Sequence, residues 1–218
     1  MKSEVAINSK KEKMLHAAEE LFAKNGFSAT GIQEISKHAG IGTGTFYKLF
    51  PEKDLLLTEL ITRLFTHLRK EIREIRRGIE FQSPLEQLLI VKKTFEVALR
   101  SLVMNNQLTV IYIQTPRGVN KEVDTLIANF ESDFVKDIAE DLQRGEDAGL
   151  VEIPEKELFG YGLIGMVKQI ATQLIATERQ DIDKATNLCA KFTIFGIIGY
   201  CPPDKLETFL PALRLLFG

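Results

Sequence analysis

The sequence predicts an all-α protein, and three observations predict it. Apolar residues recur at three- and four-residue spacing through almost every segment. Ser, Thr, Asp and Pro start signals stand ahead of those segments and glycines stand behind them. One stretch, Gln107–Gln114, is β-branched enough to make a strand, but no second strand exists to pair with it. Of the 218 residues 44% are hydrophobic, with Leu, Ile, Val and Phe spread end to end, which excludes a disordered chain, a collagen-like fibre and a disulfide-stapled miniprotein. No apolar run reaches the roughly 18 residues of a membrane span, and the polar start Met1–Lys13 has no signal-peptide core. Cys189 and Cys201, with no CxxC partner, fit inert free thiols in a reducing cytoplasm, with redox sensing as the lesser alternative.

The elements follow in order. Ser9-Lys10-Lys11-Glu12 forms a capping box, and Met14, Leu15, Ala18, Leu21 and Phe22 then share one helical face up to Asn25-Gly26, a left-handed stop. Thr30-Gly31-Ile32-Gln33 opens a short helix with Ile32, Ile35 and Ala39 inward, ended by Gly40. After Gly40-Ile41-Gly42 a further short helix covers about Thr43–Leu49, anchored by Phe46 and Phe50. Pro51 then starts a much longer helix, striped by Leu57, Leu60, Ile61, Leu64, Phe65, Leu68, Ile72 and Ile75. Gly78 and Ser83-Pro84 mark the domain boundary.

Ser83-Pro84-Leu85-Glu86 caps the next helix, to about Val103, with Leu85, Leu88, Leu89, Phe95, Leu99 and Leu102 inward. Asn105-Asn106 interrupts it, Gln107–Gln114 reads as a short helix, and Thr115-Pro116-Arg117-Gly118 as a loop. A long helix aligns Val123, Leu126, Ile127, Phe130, Phe134, Ile138 and Leu142 and stops near Gly149. Pro154 starts a helix to about Thr177, and Asp181 or Asp183 caps the last long one to Tyr200. Cys201-Pro202-Pro203 ends it before a short tail helix interrupted by Pro211. The total is about nine or ten helices with no repeat.

A net charge of −2 argues against a nucleic-acid partner, but the halves differ. Residues 1–80 carry 14 Lys and Arg against 11 Asp and Glu, a balance of +3, and residues 81–218 carry 14 against 19, a balance of −5. The first half is also where the informative motif lies. Two short helices joined by about three glycine-rich residues have helix-turn-helix proportions. A helix that enters a major groove about 12 Å wide needs a slim leading end, and Thr43-Gly44-Thr45 offers small side chains and hydroxyls there. Tyr47 and Lys48 follow one turn later, suited to phosphate. Thr30, at a helix start, can present its hydroxyl and nearby amides to an anion, and Lys53 can reach the same strand.

The continuous run from Thr30 to Leu55 resembles the TetR family of one-component transcriptional repressors nearly position by position. Its specific marks are the Ala39-Gly40-Ile41 turn, the Gly44-Thr45-Phe46-Tyr47 core and the Phe50-Pro51-x-Lys53 exit, with Ala17-Ala18, Leu21-Phe22 and Gly26-Phe27 upstream. The motif covers about residues 9–60; beyond it only length and helix count agree. Gly42 stands where the family commonly has a Ser cap, so Thr43 or backbone alone caps the next helix. Thr43 replaces a residue that is often basic or small, and Leu49 one that is often aromatic or His.

The resemblance implies a helix-turn-helix DNA-binding domain at 1–54, a connecting helix at 55–82 and a ligand-binding and dimerisation domain at 83–218. It implies a cytoplasmic, non-enzymatic, ligand-responsive repressor with no cofactor. Its DNA contacts are expected from Thr30, Gly31, Gln33, Thr43, Gly44, Thr45, Tyr47, Lys48 and Lys53. It further implies a homodimer, paired through the last two long helices, on a near-palindromic double-stranded operator. Arg63, Arg69, Lys70, Arg73, Arg76 and Arg77 alternate with Glu71 and Glu74 and read as a solvated face, not a DNA contact.

For a small apolar effector the nominated residues are Phe95, Met104, Tyr112, Phe130, Phe134 and Met166, an aromatic and Met set that could equally be plain core. Gly160, Gly162 and Gly165 near one helix start call for a close helix approach or a ligand against the backbone. Leu188, Cys189, Phe192, Phe195, Gly196 and Gly199 make an apolar face broad enough for dimerisation. Gly40-Ile41-Gly42-Thr43-Gly44 lacks the Lys-Ser/Thr of a phosphate-binding loop. His16, His38 and His67 have no metal-ligand spacing, and no nucleophile–base pair supports an enzyme. A helical adaptor that binds protein through the same motif is the other alternative.

Overall fold

The computed structural model describes residues 2–76, 83–118, 120–179 and 181–217. Among them the chain forms ten helices and no strand: α1 (Lys2–Asn25), α2 (Ile32–His38), α3 (Thr43–Leu49), α4 (Lys53–Arg76), α5 (Pro84–Met104), α6 (Asn106–Gln114), α7 (Lys121–Asp147), α8 (Lys156–Ala176), α9 (Ile182–Ile198) and α10 (Leu206–Phe217). No helix among the described residues is long and apolar enough to cross a membrane.

Several helix starts differ from expectation. Ser9 lies inside α1, not at its cap, because the preceding Lys, Glu, Val and Ala residues continue the helix and an interior Ser costs under about 1 kcal/mol. Gly31, not Thr30, is the α2 cap, and it caps with backbone alone. Gly42 caps α3 in the same way. The helices expected at Pro51 and Pro154 begin at Lys53 and Lys156, two residues later. Asp181 precedes α9 but makes no side-chain cap bond, and α9 stops at Ile198. At Ser83 the side-chain half of the box is present: its hydroxyl accepts from the Glu86 amide at 3.3 Å. Gly78 falls outside the described residues.

The helices gather into two compact units, Met1–Thr66 with Asn105–Ala128, and His67–Met104 with Asn129–Gly218. In the first unit α6 packs on α1, and the Tyr112 ring meets Phe65 edge-on at 5.1 Å. Residues 105–128 therefore belong with the N-terminal helices. The core of this unit holds Met14, Leu15, Phe22, Ile35, Phe46, Leu57, Leu60 and Leu64, all essentially without solvent exposure. Each such side chain contributes about 1.5–3 kcal/mol by leaving water.

In the second unit α5 is central, packing on α8, α9 and α10. The α9 face that is buried consists mostly of small residues, Ala185, Thr186, Cys189, Ala190 and Thr193, with Ile194. From α5 the buried side chains are Leu88, Phe95, Ala98, Leu99, Ser101 and Leu102. Leu89 was expected inward but is 46% exposed. Burial pushes the Cys189 thiol up to about 11, the behaviour of an unreactive core thiol.

Candidate nucleic-acid interface

The helix-turn-helix is assembled from α2 and α3 against α1. α1 ends where Gly26, with φ at +83°, donates its amide to the Phe22 carbonyl at 2.9 Å. α2 is pinned inward by Ile35 and Ser36, and Gly40, at φ +65°, turns the chain toward α3. There the Ile41 amide closes the turn on the Ser36 carbonyl at 2.9 Å. α3 is anchored by Phe46 alone, fully buried, with the Phe50 ring 6.1 Å away. A seven-residue helix held by one central Phe leaves its other faces free.

Those faces carry most of the nominated DNA-contact residues. Gly31, Gln33, Gly44, Tyr47 and Lys48 are exposed, and Thr43 and Thr45 are half-buried. Tyr47 is 53% exposed while its ring leans edge-on against Phe46 at 5.6 Å, which fixes its direction without hiding its hydroxyl end. It is not the core tyrosine that its neighbours alone would have allowed.

Two nominated residues behave differently. Thr30 is 1% exposed, and its hydroxyl donates to the Gly26 carbonyl at 2.9 Å and the Leu21 carbonyl at 3.4 Å, so it closes the end of α1 and does not face an anion. Lys53 is turned inward as well. Its Nζ donates to the carbonyls of Phe27 at 2.8 Å and Thr30 at 2.9 Å and stands 4.2 Å from the Phe27 ring centre. Burial lowers its pKa below the ordinary Lys value. The physical reason is common to both: the carbonyls of the turn Gly26–Gly31 have acceptor capacity that local backbone does not exhaust, the Phe27 carbonyl also taking the Thr30 amide at 3.3 Å, and these two side chains supply further donors.

Several charged side chains of α1 and α4 are paired. Arg63 makes a bidentate bridge to Glu12, at 2.7 and 2.8 Å, and a third bond to Glu59 at 3.1 Å. That bond from Arg63 holds the Glu12 carboxyl below its usual range. Arg69 pairs with Asp133. The α4 cations at 63 and 69 are thus engaged within the fold. His38, at the end of α2, meets Glu20 of α1 at 2.5 Å.

Residues 14–60 match the sequence profile described as bacterial regulatory proteins, tetR family. Their helices are those of the described interface. The N-terminal segment, residues 14–60, is similar to that family. The chain is 35% identical over 82 residues to the uncharacterized HTH-type transcriptional regulator YerO of Bacillus subtilis, covering 38% of this chain and 28% of that one. It is 23% identical over 135 residues to the HTH-type transcriptional repressor KstR of Mycobacterium tuberculosis, covering 62% of this chain and 60% of that one. The chain spans less than half the length of several curated relatives it matches. In fold it superposes on the fatty acid degradation regulator FadR of Bacillus halodurans, with a TM-score of 0.71 and 18% identity over 86% of this chain and 96% of that one. TetR-family members regulate transcription and are not enzymes.

The six nominated effector residues divide between the two units. Met104, the last residue of α5, is 74% exposed. Tyr112 belongs to the first unit, against Phe65. In the second unit Phe130 and Phe134 stack edge-on at 4.6 Å along α7, Phe95 is buried and Met166 is half-buried. A surface cleft of about 460 Å³ in that unit is lined by Lys136, Ala139, Glu140, Gln143 and residues 154–157, a mixed and charged wall.

The glycines separate too. A Cβ at Gly160 would stand 3.3 Å from Val135 Cγ1, so α8 approaches α7 closely there; Gly162 and Gly165 face open space. Their neighbours Leu158 and Tyr161 are exposed by 67% and 47%. On α9 the broad apolar face divides, with Cys189 buried and Leu188, Phe192 and Phe195 exposed by 60%, 74% and 53%.

Proposed function

We propose that the protein is a homodimeric DNA-binding regulator of transcription, a repressor that leaves a near-palindromic operator when a small apolar effector binds. One observation carries the reading: in the segment matched to the tetR family, α2 and α3 turn Gln33, Gly44, Tyr47 and Lys48 to solvent over buried Ile35 and Phe46. The contact set is Gly31, Gln33, Thr43, Gly44, Thr45, Tyr47 and Lys48. Small residues at the leading end of α3 let backbone approach base edges, and Tyr47 and Lys48 take phosphate. Thr30 and Lys53 support this set from within and do not touch DNA through their side-chain donors.

The exposed stripes of α8 and α9 support a dimer. Leu158, Tyr161, Gly162 and Gly165 follow one another at helical spacing on α8, as do Leu188, Phe192 and Phe195 on α9. Apolar faces of this extent mark a protein partner, and a second copy places two reading helices about 34 Å apart for successive major grooves. Phe95, Phe130, Phe134 and Met166 are the effector set that remains. An effector releases DNA only by binding the DNA-incompetent state more tightly, and about 1–3 kcal/mol of such preference suffices.

The test is selection of bound duplexes from a random pool, with affinity then measured against salt. A recovered near-palindrome whose binding falls steeply with salt is expected. Recovery of no common sequence by the wild-type dimer overturns the reading and leaves the protein-binding adaptor in its place.

A further inference from the structure

We propose that Asn120 and Asp54 form a positioning link that holds the DNA-reading helices through Lys53; the proposal rests on the function given above. Asn120 immediately precedes α7, and its Oδ1 accepts the Val123 amide at 2.9 Å, the bond of an N-cap. Its other end is used as well. The Nδ2 donates to Asp54 Oδ2 at 2.7 Å, across 66 positions of sequence. One side chain therefore ties the first turn of α7 to the first turn of α4.

Asp54 is the neighbour of Lys53, whose ammonium holds the Phe27 and Thr30 carbonyls. Those carbonyls belong to the turn that leads into α2, and the Thr30 hydroxyl locks the same turn onto Gly26. The sequence of contacts runs from α7 to Asn120, to Asp54, along the peptide to Lys53, and into the turn before α2. A displacement of the α7 N-terminus relative to α4 shifts the donor that fixes that turn. α7 continues as one helix to Asp147 and carries Phe130 and Phe134, which the proposed function assigns to the effector set.

The chemistry at 120 is restrictive. Only a side chain with both an acceptor and a donor can cap α7 and reach the Asp54 carboxylate. Asp at 120 keeps the cap and sets two carboxylates against each other. Asn at 54 keeps an acceptor for Asn120 and, paired with Asp at 120, reverses donor and acceptor.

The experiment compares full-length N120D, D54N and N120D/D54N at pH 7.5. It reads affinity for the duplex recovered from the pool, amide hydrogen exchange over residues 27–38, and the thermal melt. D54N is expected to match wild type. N120D is expected to lose about tenfold in duplex affinity and to exchange faster over 27–38, with the melt nearly unmoved. The double variant restores both, which a role in stability alone would not produce. Normal affinity and exchange in N120D, or no recovery in the double variant, overturns the proposal. If wild type binds no duplex, the functional reading fails, and the exchange pattern alone decides whether the link holds the turn.

Discussion

α3 and α9 both present outward faces over a buried side, and the two faces differ in kind. On α3 one buried Phe46 supports Gly44, Tyr47 and Lys48, which are at home in water. On α9 a row of small buried residues supports Leu188, Phe192 and Phe195, which are not. The first face can wait, solvated, for a partner that is itself hydrated and charged. The second gains by being covered permanently. In this chain the chemistry of the exposed face, rather than the amount exposed, separates the two: Tyr47 and Phe195 are each 53% exposed.

The largest effect should come from emptying the α3 face. Tyr47→Ala with Lys48→Ala removes two contacts of about 1–3 kcal/mol each, so operator affinity should fall about a hundredfold or more while the melt stays within a few degrees. Filter retention or anisotropy checks the first and calorimetry the second. Normal operator binding in this variant would remove α3 from the reading role. Phe46→Ala is the contrast on the same helix: it opens a cavity in the first unit and should cost about 3–5 kcal/mol of stability.

Next in size is the α9 face. Phe192→Glu puts a charge in the proposed dimer seam and should weaken self-association by at least about tenfold. Mass in solution should drop to one chain, and operator affinity should fall with it, because a single reading head loses its partner's contribution. If the mass is unchanged, the dimer does not form through this face.

The two regions were also unequally legible. The α2–α3 segment could be read because short-range constraints write it: Gly40 at a positive φ, Phe46 as the lone anchor, and small residues where the helix leads. What sequence missed there is inward direction. Thr30 and Lys53 are donor side chains near a helix start, and nothing local says whether they turn to solvent or to the Phe27 and Thr30 carbonyls. That depends on α1 and α4 meeting at the turn. Which of the effector residues share a neighbourhood was hidden for a related reason. Periodicity marks Tyr112 and Phe130 as apolar alike, but whether each meets Phe65 or Phe134 is a long-range fact. The exposed stripe of α9 was visible only as excess width; the depth of Cys189 against the exposure of Phe192 divides it.

A smaller effect concerns acid. Arg63 beside Glu12 and Arg69 beside Asp133 hold both carboxyls below their ordinary values. A carboxylate with a depressed folded value contributes stability above its unfolded pKa and loses it as pH falls through the folded one. Burial raises Glu19, and its contribution runs the other way, being present below its unfolded value and lost as pH rises through the folded one. The paired groups outnumber it, so stability should decline below about pH 4.5. Glu12→Gln should flatten that decline by no more than about 1 kcal/mol, since the pair is half in solvent. An acid titration of E12Q with the wild-type slope would show that this bridge does not contribute.

The finest test of the comparison lies in the α8 glycines. Ala in place of Gly within a helix gains about 1 kcal/mol when nothing opposes it. At Gly160 the new methyl stands 3.3 Å from Val135 Cγ1, which must give by a few tenths of an ångström, so the gain should shrink or be cancelled at any protein concentration. At Gly162 and Gly165 the methyl meets nothing within 4 Å. There the sign depends on the second copy. In dilute solution, where single chains prevail, G162A and G165A should each raise stability by about 1 kcal/mol. At concentrations that favour the dimer the same methyls enter the seam beside Leu158 and Tyr161, and the gain should shrink or turn to a loss. Melts across a concentration series separate the cases. A gain that is independent of concentration would mean that no partner approaches α8, leaving α9 to carry any association alone.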